Sequence, residues 1–264
     1  MNSERIKSQS ELRKERILIV SDPTFRRVGE ETLLVEFENK IALDVSEQVQ
    51  RLSGLLMDEQ VTGIYECIPS FRSLAIDYNP LTVSHEHIET ICRQLLQGDP
   101  SAHRQRSRHH AVVPVQYGGE WGPDLDEIAA TLQLTPEELV KIHSSVVYTV
   151  YMVGFSNGFA YMGDTHELLD LPRRSAPRVV VPVGSIAVAK KQTGIYPLSS
   201  PGGWHLLGRT PIPMFDPARE RPAFLEAGDR VTFKPINPEE YEEIEQKVQA
   251  GISLWDELKS QELK

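Results

Sequence analysis

Between Leu171 and Phe215 the sequence holds no Asp and no Glu, yet it carries six cationic side chains: Arg173, Arg174, Arg178, Lys190, Lys191 and Arg209. The chain as a whole has a formal net charge of −10, so this run is a local reversal of sign. Guanidinium and ammonium groups gathered in this way suit an anion: a carboxylate, a phosphate or an acidic partner surface. The same cations could instead pair with the acidic C-terminal region as ordinary surface ion pairs.

Two loop-like clusters could shape a pocket. Gln192-Thr193-Gly194-Ile195-Tyr196-Pro197 is followed by Ser199-Ser200-Pro201-Gly202-Gly203-Trp204. Glycine and proline at this density fix an irregular backbone that can present N–H groups to a ligand. Gln192, Thr193, Tyr196 and Ser200 add neutral donors and acceptors, and Trp204 adds a flat apolar wall. The alternative is a set of strand turns around a buried aromatic. The second cluster runs from Gly154 to Gly163 and alternates glycines with Phe155, Phe159 and Tyr161. It is not a G-x-G-x-x-G fingerprint, and no helix is expected after it, so a dinucleotide site is not supported.

Other chemistry is not signalled. There is no G-x-x-x-x-G-K-[ST], no H-E-x-x-H and no G-x-S-x-G. Cys67 and Cys92 form no C-x-x-C pair, so no zinc or thiol redox motif is present. His143, on a helical face, could be a base or a packed histidine. His205, next to Trp204, is a second candidate. Asp124 could be an acid, but its place before a helix is explained by capping. No catalytic residue is assigned and no metal is expected.

The elements that must position these residues fall into two groups. Residues 1–14 read as a flexible tail. Residues 15–100 read as a small α+β domain, with strands at 17–20, 31–37, 63–68 and 70–78 and helices at 44–58 and 82–97. The stretch 101–110 is polar, basic and rich in histidine, and reads as a linker. Residues 111–238 read as a mainly-β domain, a barrel or a sandwich: many short strands with Gly/Pro turns, after a helical pair. Thr135-Pro136-Glu137-Glu138 is a capped helix start, with Thr at the cap, Pro at N1 and Glu at N3. Residues 239–264 read as an acidic helical extension. In a barrel the strands bring successive loops back to one rim, so Gly158–Gly163 and Gln192–Trp204 can line one concave site.

Composition sets the outer limits. The chain has 264 residues, 40% hydrophobic and 25% charged, enough to bury a core without disulfides. The acidic balance argues against nucleic acid. Met1 to Arg16 lacks the apolar core of a signal peptide. The longest apolar runs, such as Val146 to Val153, are too short to cross a bilayer. The expectation is a cytoplasmic protein with no membrane partner.

Read together, Gly154-Phe155-x-x-Gly158-Phe159-x-Tyr161-x-Gly163, Leu171-Pro172-Arg173, Pro177-Arg178, Val181-Pro182-x-Gly184-Ser185, Gln192 to Pro197, Ser200 to Trp204 and Gly208-Arg209-Thr210-Pro211 resemble the PxpB/KipI family, also called allophanate hydrolase subunit 1. Leu33 to Phe37 and Pro69 to Leu74 extend the likeness towards the N-terminus, so that it covers residues 25–235. The resemblance implies an α+β N-terminal domain followed by a mainly-β cyclophilin-like barrel. It implies the PxpB-type subunit of an ATP-dependent 5-oxoprolinase, which opens 5-oxo-L-proline to L-glutamate with PxpC/KipA-type and PxpA-type subunits. The other roles in this family are inhibition of a sporulation histidine kinase and service as allophanate hydrolase subunit 1.

This sequence departs from the family pattern twice. Asn157 and Ala160 stand where prolines are usual, and Lys190 and Lys191 stand where small residues are usual. Both changes bear on ligand identity. Because 5-oxoproline carries a carboxylate, the resemblance and the acid-free run meet in Arg173, Arg178 and Arg209 as anion-binding candidates. The full set of candidates for substrate binding is Phe159, Tyr161, Arg173, Arg178, Gln192, Thr193, Tyr196, Ser200, Gly202, Gly203, Trp204 and Arg209. With no nucleotide motif here, ATP is expected to be used by the complex and not held by this chain alone.

Overall fold

The computed structural model describes residues 22–98, 109–163 and 165–261. The expected tail at 1–14, the strand at 17–20 and linker residues 101–108 lie outside these ranges.

The first group of elements runs β1 (Thr24–Val28), β2 (Thr32–Glu36), α1 (Leu43–Glu59), β3 (Ile64–Pro69), β4 (Ser73–Tyr78) and α2 (His85–Gln97). The four strands form an antiparallel sheet in the order β1-β2-β4-β3. Alternation decides its faces: Leu33 and Val35 of β2 and Leu74, Ile76 and Tyr78 of β4 are buried. They pack against Val45, Val49, Leu52 and Leu56 of α1 and Ile88 and Cys92 of α2 in one apolar cluster. Strand β1 is not legible in the sequence, because only Phe25 of its five residues turns inward. Its arginines are held from outside the core, Arg26 by Glu36 at 2.9 Å.

The second group begins with β5 (His109–Tyr117), α3 (Leu125–Thr131), α4 (Pro136–Ser144), β6 (Tyr148–Val153) and β7 (Ala160–Gly163). It continues through a 3-10 turn at Glu167–Leu169, β8 (Arg178–Val181), β9 (Ser185–Ala189), β10 (Gln192–Ile195), β11 (Ser200–Gly202), β12 (His205–Arg209) and β13 (Arg230–Pro235). It ends with α5 (Pro238–Gln249), α6 (Trp255–Leu258) and β14 (Lys259–Gln261). Strands β12-β9-β10-β7-β6-β13-β5 pair in that order, and β5 pairs again with β12. The sheet therefore closes into a seven-strand barrel, which removes the unpaired edges an open sheet would leave. Inside lie Val113, Val115, Tyr148, Val150, Ala160, Met162, Ile186, Ile195, Val231 and Phe233. Helix α4 starts as its sequence dictates: Glu138 N–H donates to Thr135 Oγ1 at 3.2 Å, and Thr135 N–H donates to Glu138 Oε2 at 2.8 Å.

Two boundaries differ from those expected. His109 and His110, linker by composition, open β5. His109 N–H donates to Asp229 Oδ1 at 3.1 Å, and the His110 ring meets Thr232 Oγ1 at 2.8 Å. The C-terminal segment is not an appendage to the barrel. Trp255 is buried in the barrel's apolar cluster, its indole N–H donates to the Pro213 carbonyl at 2.8 Å, and β14 pairs with β5. The sequence marks Tyr241, Ile244, Val248, Ile252 and Trp255 as the apolar contacts of an acidic helix, but the pairing of β14 with β5 is not visible in that pattern.

Candidate functional site

Along β7, β9 and β10 alternate side chains point into the barrel, and those between them point out. On the outside, Phe159, Tyr161, Tyr196 and Trp204 gather over Ala187, Ala189 and Leu206. Ring centroids lie 4.7 Å apart for Phe159–Tyr161, 5.2 Å for Phe159–Tyr196, 5.8 Å for Phe159–Trp204 and 5.9 Å for Tyr161–Trp204, all edge to face. That arrangement sets the positive edge of one ring on the negative face of the next. Phe159, Tyr196 and Trp204 are buried, while Tyr161 is half-buried and faces solvent.

Glycine makes the assembly possible at two places. A Cβ on Gly194 would lie 2.9 Å from the Phe159 ring, and one on Gly202 would strike the Tyr196 hydroxyl. The β8–β11 ribbon, which carries Gly202, can therefore close directly onto Tyr196. Ser200, on the same ribbon, has a buried hydroxyl with no partner among the described residues. Gln192 is half-buried at the start of β10.

Arg173 is exposed beside these rings, with its Cβ 4.0 Å from the position a Cβ on Gly203 would take. Burial raises the phenol pKa of Tyr161 and of Tyr196, and the positive charge of Arg173 pulls both back only in part. Both phenols are neutral donors at pH 7, with the Arg173 charge acting on both and the Arg178 charge also reaching Tyr196. Of this group Tyr161 is the ring that reaches solvent, and with the positive charge of the exposed Arg173 beside it, its face could receive a small ligand bearing a carboxylate.

The profile of the carboxyltransferase domain, subdomain C and D, matches residues 23–225. The chain belongs to this family. The B-type subunit of 5-oxoprolinase from Bacillus subtilis (strain 168) is 36% identical over 225 residues, which are 81% of this chain and 93% of that protein. The B-type subunit of 5-oxoprolinase from Escherichia coli O157:H7 is 38% identical over 209 residues, 79% of this chain and 94% of that one. The crystal structure of TTHA0988 superposes with a TM-score of 0.70 at 32% identity and covers 81% of this chain. The match spans 40% of the TTHA0988 chain. The range matched by the family profile stops short of β13, α5, α6 and β14, although β13 is needed to close the barrel here.

Among the residues that carry the family likeness, the structure separates those at the rings from those elsewhere. Thr193 turns inward instead of toward the rings. Its side chain is fully buried, 3.0 Å from His143 Nε2, and donates to the Ala187 carbonyl at 3.1 Å. Because that hydroxyl proton is committed, Thr193 accepts from His143 Nε2–H, and His143 Nδ1 accepts from the Tyr117 hydroxyl at 2.8 Å. His143 also stacks on Phe233 at 4.7 Å. Burial pulls its pKa down to about 3, so it is a neutral packing residue and not a surface base.

Arg178 does not reach outward as an uncommitted anion ligand. It donates to Asp124 Oδ1 at 2.6 Å, Arg174 donates to the same oxygen at 2.9 Å, and Leu206 N–H donates to Oδ2 at 2.7 Å. Asp124 is 2% exposed and makes no side-chain cap to α3. Burial alone would raise its pKa, but the Arg178 hydrogen bond, the Leu206 N–H and the two positive charges outweigh this and hold the carboxyl below its ordinary value. Capping explained where Asp124 stands in the sequence but not what it binds. Its partners lie 50 to 82 residues away, and no local signal marks them.

Arg209 also lies apart from the rings. It stands at the far end of β12, with its Cγ against Gly184 and its charge felt by the Tyr241 phenol of α5. His205 Nε2 is 2.9 Å from the Pro172 carbonyl and helps hold the segment that carries Arg173. Cys67 and Cys92 are free, with thiols pushed up by burial to about 11 and about 12, which leaves little thiolate at neutral pH. Among the described residues no group of three His, Cys, Asp or Glu side chains could hold a metal ion, and no helix is long and apolar enough to cross a membrane.

Proposed function

We propose that this chain is the PxpB-type subunit of a 5-oxoprolinase. The observation that carries the reading is likeness at 36% and 38% identity to two 5-oxoprolinase subunits of that type over more than nine-tenths of their lengths. The ring surface adds chemical sense. The five-membered lactam of 5-oxo-L-proline is small and flat enough to lie against Tyr161, the ring of the group that reaches solvent, and in this reading the exposed Arg173 takes its carboxylate. The barrel is of the cyclophilin-like kind in this reading. PxpC/KipA-type and PxpA-type subunits supply the nucleotide site and complete the enzyme in the cytoplasm.

The lactam is a stable amide, so hydrolysis needs its oxygen made into a leaving group. Transfer of the γ-phosphoryl group of ATP to that oxygen, addition of water at the ring carbon and cleavage of the ring C–N bond give γ-glutamyl phosphate. A second water releases the phosphate, so that 5-oxoproline, ATP and two waters balance as L-glutamate, ADP and phosphate. In this scheme the chain binds and orients the substrate and does not act alone. Co-expression with both partner subunits should give ATP-dependent glutamate release, and the isolated chain should give none. Arg173→Ala in the complex should lower kcat/KM for 5-oxoproline by about 10- to 100-fold, the cost of one charge-assisted hydrogen bond. Robust turnover by the isolated chain, or an unchanged Arg173→Ala complex, would refute the scheme.

A further inference from the structure

We infer that the substrate site has a wall supplied by the N-terminal sheet: Phe71, on the β3–β4 turn, is a positioning residue for whatever binds at Tyr161. This rests on the ring surface being the substrate site.

The Phe71 ring lies 5.9 Å from Tyr161, edge on, and 5.7 Å from Tyr151. Among the described residues, Phe71 belongs to none of the apolar clusters, including the one that builds its own sheet. A phenylalanine on a hairpin turn that does not serve its own core is available to spend its apolar surface elsewhere. Here it meets Tyr161, the most accessible of the four rings. The turn that presents it is rigid. Ser70 N–H donates to the Ser73 carbonyl at 2.8 Å, and Phe37 N–H donates to the Arg72 carbonyl at 2.8 Å. Arg72 is tied to the largely buried carboxylate of Glu36 at 3.2 Å. Ser70 Oγ meets Met152 Sδ at 3.4 Å, which fixes the turn against β6. A side chain locked by its supports can hold a neighbouring ring in one orientation. Phe71 therefore sets the face that Tyr161 offers to the ligand, and the site is incomplete in a barrel without the N-terminal sheet.

The test uses the full chain in the assembled complex, with 5-oxoproline as the varied substrate. Phe71→Ala should raise KM by about 3- to 10-fold, the scale of one lost aromatic pair, with kcat within about twofold. Phe71→Tyr, which keeps the ring, should restore KM. Gln50→Ala is the control for loosened docking, because the Gln50 side chain touches the barrel at Gly228, away from the rings. A rise in KM for Gln50→Ala equal to that for Phe71→Ala would overturn the inference in favour of general docking. Normal KM in Phe71→Ala beside an impaired Arg173→Ala would overturn it and leave the substrate site standing. Normal KM in both variants would remove the site itself, and the inference with it.

Discussion

Asp124 shows what a single buried charge does in this protein. Its carboxylate joins the start of α3, the segment entering β8 and the start of β12, through Arg174, Arg178 and Leu206. Removing it leaves two arginines partly buried without a counter-charge. Asp124→Ala should cost about 3–5 kcal/mol of stability, read as a lowered denaturation midpoint. His143 gives a second expectation, this time in pH. Its native pKa of about 3 lies below the value of about 6.5 for an unfolded histidine. Above pH 6.5 neither state is protonated, and the full stability is present. As pH falls below 6.5 the unfolded chain takes up a proton that native His143 refuses. Stability then drops by about 1.4 kcal/mol per pH unit until pH nears 3. His143→Gln keeps a polar side chain but cannot titrate. Its melting temperature should fall less steeply than that of the wild type between pH 7 and pH 5, and parallel curves would show that His143 is not the group responsible.

At the scale of elements, the C-terminal segment contributes more than its composition suggests. α6 places Trp255 in the barrel cluster against Phe224, with centroids 5.3 Å apart, and Arg219 stacks over the indole at 4.5 Å. β14 then extends the sheet along β5, and Lys259 reaches the buried Asp229 at 2.8 Å. Trp255→Ala should cost about 3–5 kcal/mol by opening a cavity in the barrel, measured by chemical denaturation. A near-neutral result would make α6 an appendage after all. The β8–β11 ribbon works differently. Its contact with the rings depends on the missing side chain at Gly202, so the ribbon is a cover fitted to Tyr196 rather than part of the barrel wall.

For the molecule as a whole, the apolar cluster of the N-terminal sheet and those of the barrel share no residue. Every pairing that closes the seven-strand ring lies between His109 and Pro235. A fragment of residues 109–264 should therefore fold by itself and melt in one cooperative transition with near-ultraviolet dichroism intact. Loss of that signal would mean that the barrel needs the N-terminal sheet to close. The two groups meet at Ser70, at Phe71 and at Gln50, so their union matters to the surface around Tyr161 more than to either core.

Much of this protein is dictated locally. The periodicity of Val45, Val49, Leu52 and Leu56 makes a helix, because those side chains fall on one face at 3.6 residues per turn. Thr135, Pro136 and Glu138 start another helix, because the cap bonds span only three residues. The Gly-Phe-x-x-Gly-Phe-x-Tyr and Gln-Thr-Gly strings are specific enough to identify the family. Tertiary structure alone decided which of the singled-out residues share a surface. The period-two rule puts Thr193 and Gly194 on opposite faces of β10, but only barrel closure tells which face is the inside. Arg173 and Arg178 look equivalent in the sequence, yet one is exposed beside the rings and the other is bound to Asp124, because ion pairing depends on distances set by the folded chain and not by spacing along it. Phe71 is the clearest case: its partners Tyr151 and Tyr161 lie 80 and 90 residues further on, and nothing short of the docked sheet brings them together.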